Sequence, residues 1–312
     1  MTRRLVVLAA LLALAQVGGA GAVDCGMQPA FQQKDGNAKN GVTAVWSDPQ
    51  ARTLMFIDRL NVNTDGTRRS YSVGDFWGEQ TALNNLCNAM SDACAGLDQE
   101  GLRQRRMLTQ AAAAAGWPAA QFAQTRISPS IIPLRGGKPC PPVDGFLVSA
   151  TALHKAQVSD VCDIGNYADA LTIPAIVLPK DPAKNKPSAF RQRDAHVGDL
   201  VVALRRDQMQ PVFAVVGDTG PSGELGEGSV ALNGKLLGKT APPVNYLELR
   251  GKGKFTGQAW IVPPTLVLVF PGTRNGADPW MTPDRIDAAA RERFEAWGGV
   301  DRARACAQAY GG

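Results

Sequence analysis

Residues 211–232 read PVFAVVGDTGPSGELGEGSVAL, and this stretch decides the interpretation of the whole chain. The apolar run at 212–216 has the length and composition of a strand that is buried on both faces. Asp218 follows this run after a single glycine, and Glu227 lies in the glycine-rich loop before a second apolar run at 229–232. Because glycine lets a loop turn tightly and approach a ligand closely, the stretch predicts that Asp218 and Glu227 face each other across a cleft.

Two facing carboxyl groups are what the cleavage of a glycosidic bond requires. One carboxyl protonates the leaving oxygen, and its partner activates a water molecule or attacks directly. The competing interpretation is structural, since an Asp before Thr-Gly-Pro is common in turns, where its side chain bonds the backbone two residues further on. The GDTG motif alone favours the turn, whereas the whole stretch favours a catalytic pair.

Two motifs of this stretch, GDTG at 217–220 and GEGS at 226–229, resemble the active-site segment of glycoside hydrolase family 75, the fungal-type chitosanases. The resemblance implies that Asp218 and Glu227 are the catalytic carboxylates of a secreted endo-chitosanase-like enzyme, which cleaves β-1,4 bonds of chitosan with inversion. We expect Asp218 to be the general acid and Glu227 the base that activates water; the resemblance leaves the order of these two roles open. The spacing between the two motifs is shorter here than in the fungal enzymes.

The resemblance covers about residues 52–297 and includes two further motifs, DGFLVSATAL at 144–153 and NYADALTIPAIVLP at 166–179. We expect substrate contacts from seven further side chains: Asp65, Tyr167, Asp169, Asp199, Thr219, Glu224 and Trp280. Three of these acids have an alternative role in a turn, a cap or a strand start: Asp65, Asp169 and Asp199. Asn61 and Asn63 stand where the family has acids, and amide groups hold sugar hydroxyls well but attract ammonium groups poorly.

The N-terminus and the cysteines predict an exported protein. Residues 1–22 have the pattern of a secretory signal, with two arginines, an apolar run and small residues at the cleavage site. No later apolar run reaches the roughly 18 residues that a membrane helix needs. The six cysteines all follow this segment, and their even number predicts disulfides. Cys87 and Cys94 are the expected local pair, Cys306 is expected to tie the tail to the body, and the full pairing stays open.

The charge of the chain argues against nucleic-acid binding. The formal net charge is +5, and it falls to +3 when Arg3 and Arg4 leave with the signal. Basic side chains are scattered among acids without interleaved aromatic residues. With only two histidines, a metal site is disfavoured, and we expect neither metal nor cofactor. The expected partner is a polysaccharide, chitosan or a related amino-sugar polymer, bound by a monomer without nucleic acid or membrane.

Many short strands with Gly and Pro turns, few helices and several cysteines predict a mainly β (α+β) fold that is stabilised by disulfides. We expect short strands at 146–148, 176–178, 198–204 and 265–270. We expect helices at 98–115 and after Thr282, and a hairpin that turns at Asp65. The resemblance adds a six-stranded double-psi-like β-barrel with peripheral helices. The expected organisation is a signal peptide at 1–22, an N-terminal extension at 23–50 and one catalytic domain of chitosanase type at 51–312.

Two other functions stay open at the level of sequence. One is a peptidoglycan-acting lytic transglycosylase-like barrel, in which Asp218 acts alone and Glu227 is an ordinary loop carboxylate. The other is a secreted carbohydrate-binding barrel without turnover. The retained pair of acids argues against the second alternative, while the shortened loop between them argues for it.

Overall fold

The computed structural model describes residues 24–36, 41–50, 52–221 and 224–310, so the predicted signal at 1–22 lies outside the described residues. The strands are β1 (Gln28–Asp35), β2 (Val42–Ser47), β3 (Leu54–Asn63), β4 (Leu134–Arg135), β5 (Lys138–Pro139), β6 (Ala175–Pro179), β7 (Leu200–Arg205), β8 (Pro211–Gly220), β9 (Glu224–Leu225), β10 (Glu227–Ser229) and β11 (Val262–Phe270). The helices are α1 (Gln99–Ala114), α2 (Ala119–Thr125), α3 (Val230–Leu236), α4 (Tyr246–Leu249), α5 (Pro283–Trp297) and α6 (Gly299–Tyr310). The described residues therefore form a mixed α+β fold dominated by strands.

One large sheet contains nine of these strands in the order β10-β6-β8-β7-β11-β3-β2-β1-β9. Strand β10 also pairs with β3, so β3, β10, β6, β8, β7 and β11 each have two hydrogen-bonded neighbours among these six. The pairs β6–β8 and β3–β10 are parallel, and the other pairs within the six are antiparallel. Strand β10, which carries Glu227, is thereby held on both sides.

The central strands are buried on both faces, because successive side chains point to opposite sides of a strand. One core cluster contains alternate residues of β7, β8 and β11: Val201, Ala203, Ala214, Val216, Val267 and Val269. The intervening residues pack under α5 and α6: Leu200, Val202, Leu204, Phe213, Leu266 and Leu268. The prediction of a strand buried on both faces at 212–216 is confirmed by β8.

Several local predictions are also confirmed. Helix α1 starts after Asp98, whose side chain accepts a hydrogen bond from the Gly101 N–H and caps the helix. Helix α5 starts with Pro283 at its first position, where proline loses no hydrogen bond. Strands β6 and β11 cover the runs at 176–178 and 265–270, whereas β7 begins at Leu200, two residues into the run predicted at 198–204. Strand β7 returns through a short link into antiparallel β8.

Two predictions about local structure are wrong, and one apolar run takes a form that the sequence left open. No strand returns after the turn at Asp65, because the following segment folds around the carboxylate of Asp75, which accepts hydrogen bonds from four successive backbone N–H groups at 79–82. Phe146 and Leu147 form isolated bridges instead of the strand predicted at 146–148. The run at 229–232 begins α3, since the Ser229 hydroxyl accepts the Leu232 N–H as an N-cap.

The segment at 23–50, predicted as an extension, contributes two strands to the large sheet. Strand β2 pairs with β3, and β1 pairs with β2 and with β9. Strand β9 precedes Glu227, so this segment supports one side of the loop that bears the predicted base. No described residues form a helix long and apolar enough to cross a membrane.

Three disulfides join the six cysteines. Cys87 bonds Cys94, as predicted, and Cys140 bonds Cys162. Cys25 bonds Cys306, which confirms that the tail is tied to the body and links the segment before β1 to α6. The expectation of a disulfide-stabilised fold is therefore confirmed.

We expect loss of the Cys25–Cys306 bond to destabilise the fold more than loss of the Cys87–Cys94 bond. The first closes a separation of 281 residues and the second a separation of 7. The chain-entropy model gives about 5 kcal/mol for the long loop and about 2 kcal/mol for the short one. Urea unfolding of the two double serine variants measures the difference, and equal losses would contradict the expectation.

Candidate active site

Asp218 and Glu227 lie on the two strands that flank β6. In the β6–β8 pair, Asp218 is opposite Val177. In the antiparallel β6–β10 pair, Gly228 is opposite Ile176, which sets Glu227 beside Val177 on the other side. Since hydrogen-bonded strands lie about 4.8 Å apart, the backbones that carry the two acids are about 10 Å apart. The two side chains are thus separated by one strand.

A bulge in β8 aims Asp218 out of the core. Val216 is opposite Ile176 and Asp218 opposite Val177, so Gly217 is the extra residue between them. A Cβ on Gly217 would lie 2.6 Å from the Ala175 Cβ, which leaves no space for another residue type. Because the bulge resets the alternation of β8, Asp218 leaves the core face that Val216 occupies.

Asp218 is partly buried at the end of β8, and its carboxyl is held by backbone donors. The Ala152 N–H donates to Oδ1 at 3.0 Å, and the Thr219 N–H donates to the same atom at 2.8 Å. Ala152 belongs to the SATAL segment, which the sequence singled out without assigning it a contact. These two donors fix the orientation of the carboxyl.

A third carboxyl, that of Asp65, lies beside Asp218. Both line one small cavity of about 10 Å³, which is close to the space of one water molecule. The Tyr71 hydroxyl donates to Asp65 Oδ1 at 2.8 Å, and the Ser149 hydroxyl donates to the same oxygen at 3.3 Å. The structure therefore brings Asp65 into the cleft as well as placing it in the turn after β3. The contacts from Tyr71 and Ser149 were missed by sequence reasoning.

Burial raises the pKa of all three carboxyls, and repulsion from a neighbouring charge adds to the rise in Asp218 and Glu227. Burial is the main cause for Asp218, whose pKa rises to about 8, and the charge of Asp65 is the next cause. The pKa of Glu227 rises to about 7 for the same two reasons in the same order. The pKa of Asp65 rises only to about 6, because the hydrogen bonds from Tyr71 and Ser149 oppose its burial.

These values rank the three groups by the ease with which they ionise. Asp65 loses its proton first, and its charge then favours the protonated forms of Asp218 and Glu227. Asp218 holds its proton to the highest pH of the three. Near neutral pH Asp65 is therefore ionised, Glu227 is near the midpoint of its titration and Asp218 is protonated.

Glu227 lines a second cavity, of about 30 Å³, with Glu224 and Asn61. This space is sufficient for a water molecule beside its carboxyl. Glu224 forms an ion pair with Lys34, at 2.5 Å between Oε1 and Nζ, and its charge also raises the pKa of Glu227. A hydrogen bond from the Asn63 side chain acts in the opposite direction and favours ionised Glu227.

The structure places Tyr167 and Asp169 outside this group of carboxyls. Tyr167 is buried against the Cys140–Cys162 disulfide, and its hydroxyl donates to the Val161 carbonyl at 2.8 Å. Asp169 accepts the Leu171 N–H at 2.9 Å, as the capping interpretation predicted. Its two chain neighbours line the Asp218 cavity.

Asp199 and Trp280 also lie apart from the carboxyls. Asp199 is fully buried and accepts three backbone N–H groups, those of His196, Thr273 and Arg274. The Trp280 Nε1–H donates to the Thr273 carbonyl, and the Arg285 guanidinium lies over the indole at 5.1 Å from the ring centroid. One face of the proposed sugar platform is therefore covered. Thr219 is exposed at the end of β8, next to Asp218.

Two comparisons with known proteins leave the chain without an assigned relative. No model of a known protein family matches it, and no curated protein matches it. Among the described residues, no group of three His, Cys, Asp or Glu side chains is arranged to hold a metal ion.

We expect Asp218→Asn to stabilise the protein above about pH 4. The folded state keeps the Asp218 proton up to about pH 8, whereas the unfolded chain loses it near the ordinary pKa of 3.8. Between these values the native state binds more protons, so rising pH lowers the parent's free energy of unfolding. The amide does not titrate, and a gain of at least ~1 kcal/mol at pH 8 follows. Urea unfolding from pH 4 to pH 8.5 measures the free energy of unfolding of the parent and of the variant. A difference between the two that does not widen with pH would contradict the raised pKa of Asp218.

Proposed function

We propose that this protein is a secreted, endo-acting glycoside hydrolase that cleaves β-1,4 bonds of chitosan or a related amino-sugar polymer. The observation that carries the proposal is the placement of Asp218 and Glu227 on either side of Val177, at the rim where β8 and β10 flank β6. Two carboxyls on the strands that flank β6, both with a raised pKa, suit acid–base cleavage of a glycosidic bond.

Asp218 has the role of general acid in this proposal. Its pKa of about 8 keeps the carboxyl protonated near neutral pH, so that it can protonate the leaving oxygen. The N–H groups of Ala152 and Thr219 hold Oδ1, which orients the carboxyl toward a bond in the cleft. A protonated carboxyl that is held in place on a strand can donate its proton to the leaving oxygen as the glycosidic bond breaks.

Glu227 has the role of base and activates water for attack from the opposite side of the sugar. The backbones of the two acids are about 10 Å apart, two strand spacings, with β6 between them. Inverting enzymes hold their carboxyls roughly 6.5–9.5 Å apart, which leaves space for a water molecule, against about 5–5.5 Å in retaining enzymes. Acids on strands that are not direct neighbours favour the wider, inverting arrangement.

The fold and the compartment are part of the same proposal. We propose that β3, β10, β6, β8, β7 and β11 form a six-stranded double-psi-like β-barrel, with α1 to α6 outside it. The mutual pairing of the six strands supports this arrangement. Secretion is supported by the signal pattern at 1–22 and by the three disulfides, which persist in oxidising compartments.

A second candidate function is a lytic transglycosylase-like cleavage of peptidoglycan by Asp218 alone. The observation that favours it is the pair of amides at the cleft, since Asn63 lines the Asp218 cavity and Asn61 lines the Glu227 cavity. Amides suit N-acetylated sugars better than ammonium-bearing ones. In this alternative Glu227 is dispensable.

Product analysis separates the two candidates. Parent enzyme and Glu227→Gln are incubated with chitosan and, separately, with peptidoglycan, and Glu292→Gln, on the exposed face of α5, is the matched control. We expect the parent and the control to release chitosan oligosaccharides and the Glu227 variant to release none. Anhydro-muropeptides that survive the Glu227 change would instead establish the single-acid function.

A further inference from the structure

A groove of about 580 Å³ lies at the ends of β6 and β8, outside the two carboxylate cavities. Its volume is in the range of ligand-binding clefts, which is on the order of 300–1,000 Å³. Apolar side chains from the core contribute to its lining, among them Leu178, Phe190 and Val197. The groove thus combines an apolar surface with the polar rim described next.

The rim of the groove is strongly basic. It carries four cations, Lys180, Lys184, Arg191 and Arg274, against the single carboxylate of Asp181. Arg191 and Asp181 form an ion pair with each other, which leaves an excess of three positive charges. The other three cations are exposed, and no carboxylate of the described chain pairs with them.

The groove and the two carboxylate cavities meet the chain at the end of β8. Thr219, which directly follows Asp218, lines the groove, and the next residue, Gly220, lines the Glu227 cavity. The Lys180 N–H donates to the Gly220 carbonyl at 3.3 Å, so the first cation of the rim is attached to the same strand end. The cationic groove therefore adjoins the end of the strand that carries Asp218.

We propose that this groove binds acidic sugar units of the polymer, so that the substrate carries carboxylate or sulfate groups on the units beyond the cleavage point. Ammonium and guanidinium groups attract such anions and form charge-assisted hydrogen bonds with them. The same three excess charges repel the ammonium groups of fully deacetylated chitosan. The inference rests on the proposed function only in placing a polysaccharide across the two catalytic carboxyls; it narrows the substrate to an amino-sugar polymer with acidic units.

The test measures binding without turnover. The protein is the full-length Asp218→Asn variant, and the probes share one backbone: N-acetylchitotetraose, its C6-oxidised carboxylate form, its 6-O-sulfated form, and the deacetylated tetramer. Titration calorimetry at low salt gives each Kd. A groove variant combines Lys180→Gln, Lys184→Gln and Arg274→Gln, and a matched control removes three exposed cations elsewhere with Lys138→Gln, Lys252→Gln and Arg293→Gln.

We expect an anionic tetramer to bind roughly tenfold more tightly than the neutral one, with the deacetylated tetramer weakest, since each exposed pair contributes a small but additive gain. The groove variant loses this preference, and the control keeps it. Equal binding of neutral and anionic tetramers, or a preference that survives the groove variant, would overturn the inference. The carboxylated and sulfated probes distinguish the two sources of the charge.

Failure of this inference is distinguishable from failure of the proposed function. Binding is read from a variant that does not turn over, so it does not depend on catalysis. If the parent enzyme cleaves none of the probes while the preference for anions is present, the catalytic proposal fails and the groove assignment stands. If the parent enzyme cleaves the probes but the preference for anionic tetramers is missing, the groove assignment fails and the catalytic proposal stands.

Discussion

The Asp218→Asn variant is expected to lose at least ~100-fold in kcat, because it removes the proton that the leaving oxygen requires. The amide matches the carboxyl in shape, and its oxygen can still accept the N–H groups of Ala152 and Thr219. The variant is therefore expected to fold with the cleft intact. Asp207→Asn is the matched control, since Asp207 is exposed and pairs only with Arg205 at the β7–β8 link.

The leaving group provides a sharper readout for this first prediction. An aryl glycoside with an acidic phenol leaves without help from a proton, so the loss caused by Asp218→Asn is expected to shrink on that substrate. Glu227→Gln is expected to lose as much on the aryl glycoside as on the polymer, because it removes the activation of water. Equal losses for the Asp218 variant on both substrates would contradict its role as the acid.

The Asp65→Asn variant is expected to move the whole pH–activity profile toward acid. The rising limb reports Glu227, with a pKa of about 7, and the falling limb reports Asp218, with a pKa of about 8. The charge of Asp65 is the second cause of both elevations, so its removal lowers both values. A shift of about one pH unit is the size that a neighbouring like charge produces.

A purely structural role for Asp65 would give a different result. In that case Asp65→Asn would lower kcat at every pH without moving either limb of the profile. Ser149→Ala is the matched comparison, because it removes one donor to Asp65 while the carboxyl itself stays. Loss of that donor raises the pKa of Asp65, so the limbs are expected to move in the same direction but by less.

The sequence predicted the parts of the fold that depend on local patterns. Local causes within a few residues account for the apolar runs that became β6, β7, β8 and β11, for helices α1 and α5, and for the short Cys87–Cys94 bridge. The pairing of β10 with both β3 and β6 has no local cause, since it joins segments far apart in the chain. The fold of the segment around Asp75 was not predicted for another reason. Its backbone N–H groups donate to the Asp75 carboxylate and not to the carbonyl groups of a neighbouring strand.

In the candidate site, too, the residues in local motifs were predicted, while the contacts that depend on the tertiary fold were not. Asp218 and Glu227 were predicted from their own motifs, and the structure brings them to one strand rim. Asp199 and Tyr167 were chosen through the resemblance to the family, and a shared motif does not reveal whether backbone groups already occupy the side chain. The support of Asp65 by Tyr71 was missed for the converse reason, because that contact forms through the fold of the turn rather than through a motif.

The anomeric configuration of the first product tests the central claim most directly. Proton NMR follows partly acetylated chitosan oligomers during the first minutes of reaction with the parent enzyme, before mutarotation mixes the anomers. An inverting pair across one strand predicts that the α-anomer appears first from a β-1,4 bond. Initial release of the β-anomer, or of an anhydro end without a free reducing group, would contradict the assignment of Asp218 and Glu227 as an inverting acid and base.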